Sequence, residues 1–189
     1  MTGQVRAYLG MSLDGRIAGP DHSLDWLDAP RSRADDGPEP TQGGTWLSFE
    51  QHMASVGVLL MGRTTFDVIS GFDWPYGELP VVTATHRLLP KSAPSTVTTA
   101  TGTVAEVIDA ARERADGADV YIDGGQLVCS AIDSGLLDEL TTTILPTVQG
   151  PGIALFDALR GPHELTLTNT ALDETGAVQL TWRPKPPTG

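Results

Sequence analysis

The sequence predicts an α/β fold whose central sheet is mostly parallel, with an antiparallel hairpin at one edge. Strand and helix patterns alternate from the N-terminus to residue 135, as they do in parallel sheets built from strand–helix units. Two short segments of alternating side chains, 164–170 and 177–182, predict the hairpin. With 189 residues, the chain is expected to form one domain over residues 1–183, followed by a frayed tail over 184–189.

Charge and composition argue against several kinds of function. A formal net charge of −12 disfavours a nucleic-acid partner, because such a partner requires many basic side chains to neutralise its phosphates. The chain has no apolar stretch of 18 residues and no basic-then-apolar N-terminal signal, so no membrane contact and a cytoplasmic location are expected. The single cysteine, Cys129, and four widely separated histidines predict neither a disulfide nor a metal site.

The N-terminal part of the chain is predicted to contain a strand followed by a long loop. Residues 4–10 alternate enough to form a strand, and residues 11–20 contain Asp-Gly and Gly-Pro pairs that are typical of a mobile turn. Asp, Pro and Gly are frequent in residues 20–44, so this loop is predicted to be either a lid over a site or disordered. Trp26 favours the lid.

A helix is predicted to follow this loop and to end near residue 55. Thr45 and Ser48 are both suitable N-caps, because a hydroxyl group there can accept a hydrogen bond from the first turn. Apolar side chains that include Trp46 and Phe49 give this helix a face that we expect to be buried.

Two apolar strands are predicted to end at glycines that open helices. Residues 56–61 form an unbroken apolar run that leads into a helix at Gly62, and residues 118–122 turn through Gly124-Gly125 into a helix over 126–134. The first amides of such helices have no partner within the helix and lie at its positive end, where phosphate groups bind. Each junction is therefore a candidate phosphate site, unless the glycines only form tight turns.

The remaining elements add a third polar junction at the same edge of the sheet. Residues 79–84 are predicted to be a strand that runs into Thr85-His86-Arg87, and a capping box at 103–106 opens an amphipathic helix. A strand over 137–145 leads into a loop rich in glycine and proline. Ligands of parallel sheets bind at the carboxyl ends of the strands. Three anion-suited junctions there suggest a nucleotide with several phosphates.

Four short segments, correctly spaced over nearly the whole chain, resemble motifs of one enzyme superfamily. They are Ser12-Leu13-Asp14-Gly15-Arg16-Ile17-Ala18, Met61-Gly62-Arg63-Thr64-Thr65-Phe66, Ile122-Asp123-Gly124-Gly125-Gln126-Leu127, and the run from Leu145-Pro146 to Gly150. Together they resemble the dihydrofolate reductase superfamily, and especially short proteins similar to the reductase domain of the bifunctional riboflavin-biosynthesis deaminase-reductase. The resemblance implies a dihydrofolate-reductase-like three-layer α/β/α fold. A homodimer is compatible with it, because related short proteins often pair.

The resemblance also implies NADPH as the cofactor, bound across the strand ends. Ala18 and the loop around Asp14 would then cover the nicotinamide. The other implied contacts are Gly62, Arg63, Thr64 and Thr65 with the phosphates, Thr85, His86 and Arg87 with the adenosine 2′-phosphate, and Gly124, Gly125, Gln126 and Leu127 with the pyrophosphate. An arginine suits a phosphate dianion because its guanidinium forks onto two oxygens. The alternatives are a solvated surface charge for Arg87 and a helix-end salt bridge for Arg63.

A reduction by hydride transfer also requires a proton, and the sequence defines the donor of that proton less clearly than the cofactor contacts. Dihydrofolate reductases carry a carboxylate on the first helix, but residues 45–51 have no acid at the family's position, and Glu50 is the nearest candidate. Asp14, Glu50 or water that enters under the 11–30 loop could deliver the proton.

The sequence therefore predicts an NADPH-dependent reductase of a small heterocyclic substrate. Because the chain resembles the riboflavin-biosynthesis branch of the superfamily, a 5-amino-6-(5-phosphoribosylamino)uracil reductase-like activity is favoured over a dihydrofolate reductase-like one. Two other classes stay open: a nucleotide-binding protein without turnover, which the missing helix carboxylate favours, and a structural or interaction protein whose glycines only shape turns.

Overall fold

A computed structural model describes residues 3–27 and 43–185 of the chain. Within these ranges the chain forms ten strands and four helices. In chain order they are β1 (Val5–Ser12), β2 (Arg16–Ala18), α1 (Phe49–Met53), β3 (Val56–Gly62), α2 (Arg63–Ile69), β4 (Val81–Ala84), β5 (Val97–Ala100), α3 (Val104–Ala115), β6 (Asp119–Asp123), α4 (Gly125–Asp133), β7 (Glu139–Leu145), β8 (Ile153–Ala154), β9 (Leu165–Leu172) and β10 (Val178–Pro184).

Eight strands form one sheet in the order β5-β4-β3-β6-β1-β7-β10-β9. Neighbouring strands from β5 to β7 are all parallel, whereas β10 is antiparallel to both β7 and β9. The predicted parallel sheet with a C-terminal hairpin is therefore confirmed. The last strand ends at Pro184, which pairs with Leu165, one residue beyond the predicted domain boundary. Residues 186–189 of the predicted tail lie outside the described residues.

Three short strands are not predicted by the sequence. β5 extends the sheet at one edge, and of its four residues only Val97 is buried, so no alternating pattern is visible. β2 and β8, which have three and two residues, pair with each other as a separate small sheet. Strands this short depend on partners that are distant in the chain, which local periodicity cannot reveal.

The alternation of side chains along the parallel strands divides the core into two layers. Val58 and Leu60 of β3 pack in the cluster that contains residues of α3 and α4. Leu59 and Met61 face the opposite side of the sheet, where Phe66 of α2 covers them. Helices therefore cover both faces of the sheet, which confirms the three-layer α/β/α architecture.

Helix ends lie where side-chain caps and a glycine predict them. In α3, Thr103 and Glu106 form the predicted capping box, in which each side chain accepts a hydrogen bond from the other residue's backbone amide. The chain leaves α4 through Gly135, whose φ of 65° allows the amide of Leu136 to donate to the carbonyl of Ala131 at 2.9 Å.

The first helix buries a different side chain from the one expected. Its N-cap is Ser48, one of the two predicted, but Phe49 is 47% exposed, so the prediction of a buried Phe49 is wrong. The buried residue is His52, whose ring lies 5.0 Å from that of Tyr8 and 4.8 Å from that of Tyr121. Neither ring nitrogen of His52 has a hydrogen-bond partner, and burial lowers its pKa to about 4. The histidine is therefore held in its neutral form.

This lowered pKa predicts that His52 makes the fold sensitive to acid. The unfolded chain takes up the proton near the ordinary pKa of 6.5, while the folded chain does so only at about 4. The contribution of His52 to the free energy of unfolding should therefore fall as pH decreases through this window, by about 2 kcal/mol at pH 4.5. Urea unfolding of the wild type and of His52→Phe near pH 7 and near pH 4.5 checks this, because other titrating groups are common to both proteins. Equal losses of stability on acidification would contradict the prediction.

Candidate functional site

A cavity of about 1200 Å³ lies at the carboxyl ends of the parallel strands. Gly62 ends β3 and Asp123 ends β6, and both contribute to the wall, as does Ala84 at the end of β4. This is the edge at which parallel sheets bind ligands. All the residues that the sequence analysis nominates for cofactor binding line this cavity: Ala18, Gly62, Arg63, Thr64, Thr65, Thr85, His86, Arg87, Gly124, Gly125, Gln126 and Leu127. Their binding roles stay predictions.

The two glycine junctions lie side by side because β3 and β6 are neighbours in the sheet. Gly124 has a φ of 99°, and a Cβ at this position would clash with the hydroxyl of Thr65 in the first turn of α2. Glycine is therefore required at residue 124 both for backbone conformation and for close packing.

The first turn of α4 presents free amides to the cavity. Leu127 and Val128 both donate to the carbonyl of Gly124 at 3.1 Å, which leaves the amides of Gly125 and Gln126 outside the helix's own bonding. These amides lie at the positive end of a nine-residue helix. The arrangement suits a phosphate group.

The two arginines at the cavity differ in how firmly they are held. Arg63 donates from Nε to Asp67 at 2.7 Å and from Nη1 to the carbonyl of Leu88 at 2.9 Å, so the helix-end salt bridge considered for it is present. The guanidinium of Arg87 is 64% exposed and reaches the same Asp67 carboxylate at 3.4 Å. Arg63 therefore connects α2 to the segment after β4, whereas the more exposed side chain of Arg87 is held only loosely.

Asp14 joins two distant segments of the chain. Its carboxylate accepts hydrogen bonds from the hydroxyl of Ser12 at 2.7 Å and from the amides of Gln149 at 2.9 Å and Gly150 at 2.8 Å. These bonds, with the amide of Gln149 as the largest cause, lower the pKa of Asp14 to about 2. The carboxyl group is thus ionised at neutral pH and accepts bonds from the 149–150 backbone, and Asp14 is not among the residues that line the cavity.

Glu50, the other predicted proton donor, is exposed in the first turn of α1 and also lies outside the cavity lining. The structure thus brings neither predicted acid to the cavity, and both catalytic assignments stay untested predictions.

The β2–β8 pair forms a flap over one side of the cavity. We define the flap as residues 16–18 and 153–154, and Ile17, Ala18, Ile153 and Ala154 all line the cavity. Of the predicted lid at 20–44, the described part includes Leu24 and Leu27, which also line the cavity, and residues 28–42 lie outside the described residues.

Asp123 is a buried titratable group of the cavity that was not among the predicted site residues. It lines the cavity at the end of β6, and burial raises the pKa of its carboxyl to about 6, partly offset by a hydrogen bond from the amide of Gly124. An acid that directly follows an apolar strand and precedes Gly124-Gly125 was a usable signal, since that position points to the ligand edge of the sheet.

Two tyrosines border the cavity near Asp123 and are held by hydrogen bonds. The hydroxyl of Tyr8 donates to the carbonyl of Leu47 at 2.9 Å and accepts from the fully buried Gln179 at 3.1 Å. The hydroxyl of Tyr121 donates to the carbonyl of Tyr8 at 2.9 Å. These bonds fix two aromatic walls in a cavity that also contains a perturbed carboxyl group, which is a common property of binding and catalytic sites.

Two other features are absent from the described ranges, 3–27 and 43–185. No group of three or more His, Cys, Asp and Glu side chains there is placed to hold a metal ion. No helix among these residues is long and apolar enough to cross a bilayer.

Comparison with known proteins links this architecture to a family. Residues 4–179 match the family model of the RibD C-terminal domain. The chain is 28% identical over 166 residues to the uncharacterised protein YwjB of Bacillus subtilis strain 168, an alignment that covers 86% of this chain and 88% of the relative.

Two solved structures share the fold over nearly their whole length. The first, named "Putative riboflavin biosynthesis protein", is from Shewanella sp. PV-4 and superposes with a TM-score of 0.79 at 25% identity, covering 97% of this chain and 99% of the other. The second is dihydrofolate reductase from Enterococcus faecalis complexed with NADP(H), with a TM-score of 0.59 at 17% identity and coverage of 98% and 99%. The predicted dihydrofolate-reductase-like fold is confirmed.

The geometry of the glycine junction predicts a large effect of a small substitution. Gly124→Ala should lower the free energy of unfolding by about 1–3 kcal/mol, because alanine is strained at this φ and its methyl group meets Thr65. Gly161→Ala is the matched control, because a Cβ at that exposed glycine meets nothing within 4 Å. Urea unfolding of both variants measures the difference, and equal stability of the two would show that residue 124 tolerates a side chain.

Proposed function

The chain belongs to the RibD C-terminal domain family, and from this membership we propose that it is an NADPH-dependent reductase of a small heterocyclic substrate. Family membership and the shared fold support an activity like that of riboflavin-pathway reductases. The observation that carries the proposal is the convergence of all the predicted nucleotide contacts on one cavity, together with a protonatable carboxyl group at Asp123.

The cavity suits a dinucleotide together with a small substrate. Its volume of about 1200 Å³ exceeds the roughly 300–1,000 Å³ typical of sites for drug-sized ligands. The open amides of Gly125 and Gln126 and the dipole of α4 would hold the pyrophosphate. The flap would cover the nicotinamide end and exclude water from it. When bound, NADPH supplies the hydride.

Arg87 is the residue best suited to distinguish NADPH from NADH. Two of the donor groups of Arg63 are already engaged with Asp67 and Leu88, so its guanidinium cannot easily turn towards a ligand. Arg87 is largely exposed and lightly held, so it can fork onto the 2′-phosphate, the group that NADH lacks.

Asp123 would donate the proton that completes the reduction. With a pKa near 6, its carboxyl is partly protonated near neutral pH and can pass a proton to the substrate nitrogen or oxygen next to the carbon that accepts the hydride. The rings of Tyr8 and Tyr121 border the same cavity and would flank a flat heterocycle. In this proposal the carboxyl on β6 takes the role of the acid that is missing from α1.

Cofactor titration tests the proposal directly. Quenching of tryptophan fluorescence should show that the wild type binds NADPH at least about ten-fold more tightly than NADH. Arg87→Ala should lose about ten-fold in NADPH affinity and keep its NADH affinity, because only the 2′-phosphate contact is removed. Arg114→Ala, an exposed arginine of α3 outside the cavity lining, is the control. A wild type that binds neither cofactor would overturn the proposal.

A second test concerns the proton. Asp123→Asn should retain NADPH affinity but lose about 100-fold or more in turnover of 5-amino-6-(5-phosphoribosylamino)uracil or dihydrofolate, whichever the wild type reduces. Because the protonated carboxyl is the active form, wild-type turnover should fall as pH rises above about 6, and the variant should lack this step. Loss of NADPH oxidation is followed by absorbance. Full turnover in Asp123→Asn, or its loss in Glu50→Gln or Asp14→Asn instead, would reassign the proton donor.

A further inference from the structure

A segment outside the four family motifs forms one wall of the cavity. Leu155, Asp157, Ala158 and Arg160 line it, beyond β8. The segment packs directly against α4: the thiol of Cys129 donates to the carbonyl of Leu155 at 3.1 Å, and a Cβ on Gly125 would lie 3.1 Å from the same oxygen. This wall therefore stands beside the helix whose first amides suit a phosphate.

Arg160 is anchored at its backbone and free at its charged end. Its amide donates to both carboxylate oxygens of Asp133 at 3.3 Å, and the same carboxylate binds the ring of His163 at 2.7 Å. The side chain of Arg160 is 89% exposed, and its nearest charged partner in the described chain is Asp133 at 4.0 Å. An arginine fixed at its base can reach a ligand without moving the backbone.

The surroundings of Arg160 favour an anionic or aromatic ligand. In a chain with only 12 lysines and arginines and a net charge of −12, three arginines line this one cavity: Arg63, Arg87 and Arg160. Gln126 and Ser130 of α4 line it as well and add polar groups. Asp157, on the same wall, would repel an anion, so Arg160 is the residue of this wall that can attract one.

We infer that Arg160 is a nucleotide-binding residue that contacts the adenosine diphosphate half of the cofactor, the part common to NADPH and NADH. This inference rests on the proposed function, because it assumes that a dinucleotide occupies the cavity. A guanidinium can fork onto phosphate oxygens or stack on the adenine ring, and both groups belong to the shared half. Arg87 and Arg160 then have different roles. Arg87 selects NADPH over NADH, and Arg160 strengthens the binding of either cofactor.

Parallel titration of two variants tests this division. Arg160→Ala should weaken both NADPH and NADH by about five-fold, the upper range for an exposed charge contact, and by the same factor for each. Arg87→Ala should weaken NADPH alone. Arg160→Lys, which keeps the charge, should recover part of the loss. Arg183→Ala, an exposed arginine of β10 outside the cavity lining, should bind both cofactors as the wild type does. The unfolding temperature of Arg160→Ala should not change, since its backbone anchors remain.

The outcomes separate the two proposals. If the wild type binds NADPH and Arg160→Ala binds both cofactors equally well, the inference is overturned while the proposed function stands. If Arg160→Ala weakens NADPH only, Arg160 contacts the 2′-phosphate and the inference is again overturned. If the wild type binds neither NADPH nor NADH, the proposed function fails and this inference fails with it.

Discussion

The cavity depends on the absence of a side chain at residue 124. With a φ of 99° and no Cβ, Gly124 allows α4 to start against the hydroxyl of Thr65, the third residue of α2. The N-termini of two helices therefore meet at the ends of two adjacent parallel strands. A side chain at residue 124 would separate the helices, and the polar groups around the cavity would no longer converge.

The wall formed by the flap and the segment after it is held by contacts between residues far apart in the chain. Asp14 binds the 149–150 backbone, the flap pairs residues 16–18 with 153–154, and Cys129 bonds to Leu155. The cavity is thus enclosed by two structural units: a sheet edge with helix N-termini, whose position follows from topology, and a flap whose position follows from a few side-chain bonds. The first unit carries the groups that suit phosphates, and the second lines the cavity with the apolar side chains of the flap.

Sequence reasoning could predict what depends on local pattern and could not predict what depends on distant partners. The parallel sheet, the α3 capping box and the glycine junctions each have a local signature, and they were predicted correctly. β2, β5 and β8 are too short for a pattern and exist through pairing. His52 was missed as the buried residue of α1 because a five-residue helix offers little periodicity. The sequence around Asp14 suggests a catalytic acid, but the backbone amides that bind its carboxylate lie about 135 residues away in the chain. The raised pKa of Asp123 comes from burial, which only the folded chain creates.

The opposite pKa shifts of His52 and Asp123 have a joint consequence for proton balance. The ring of Tyr121 contacts the ring of His52, and Tyr121 also interacts electrostatically with Asp123, so both groups neighbour one buried tyrosine. At about pH 5, the unfolded chain would carry a protonated histidine and an ionised aspartate, and the folded chain a neutral histidine and a protonated aspartate. Each state binds one proton in total. Folding therefore moves a proton from one residue to the other without net uptake or release, and both groups are uncharged once they are buried in the fold.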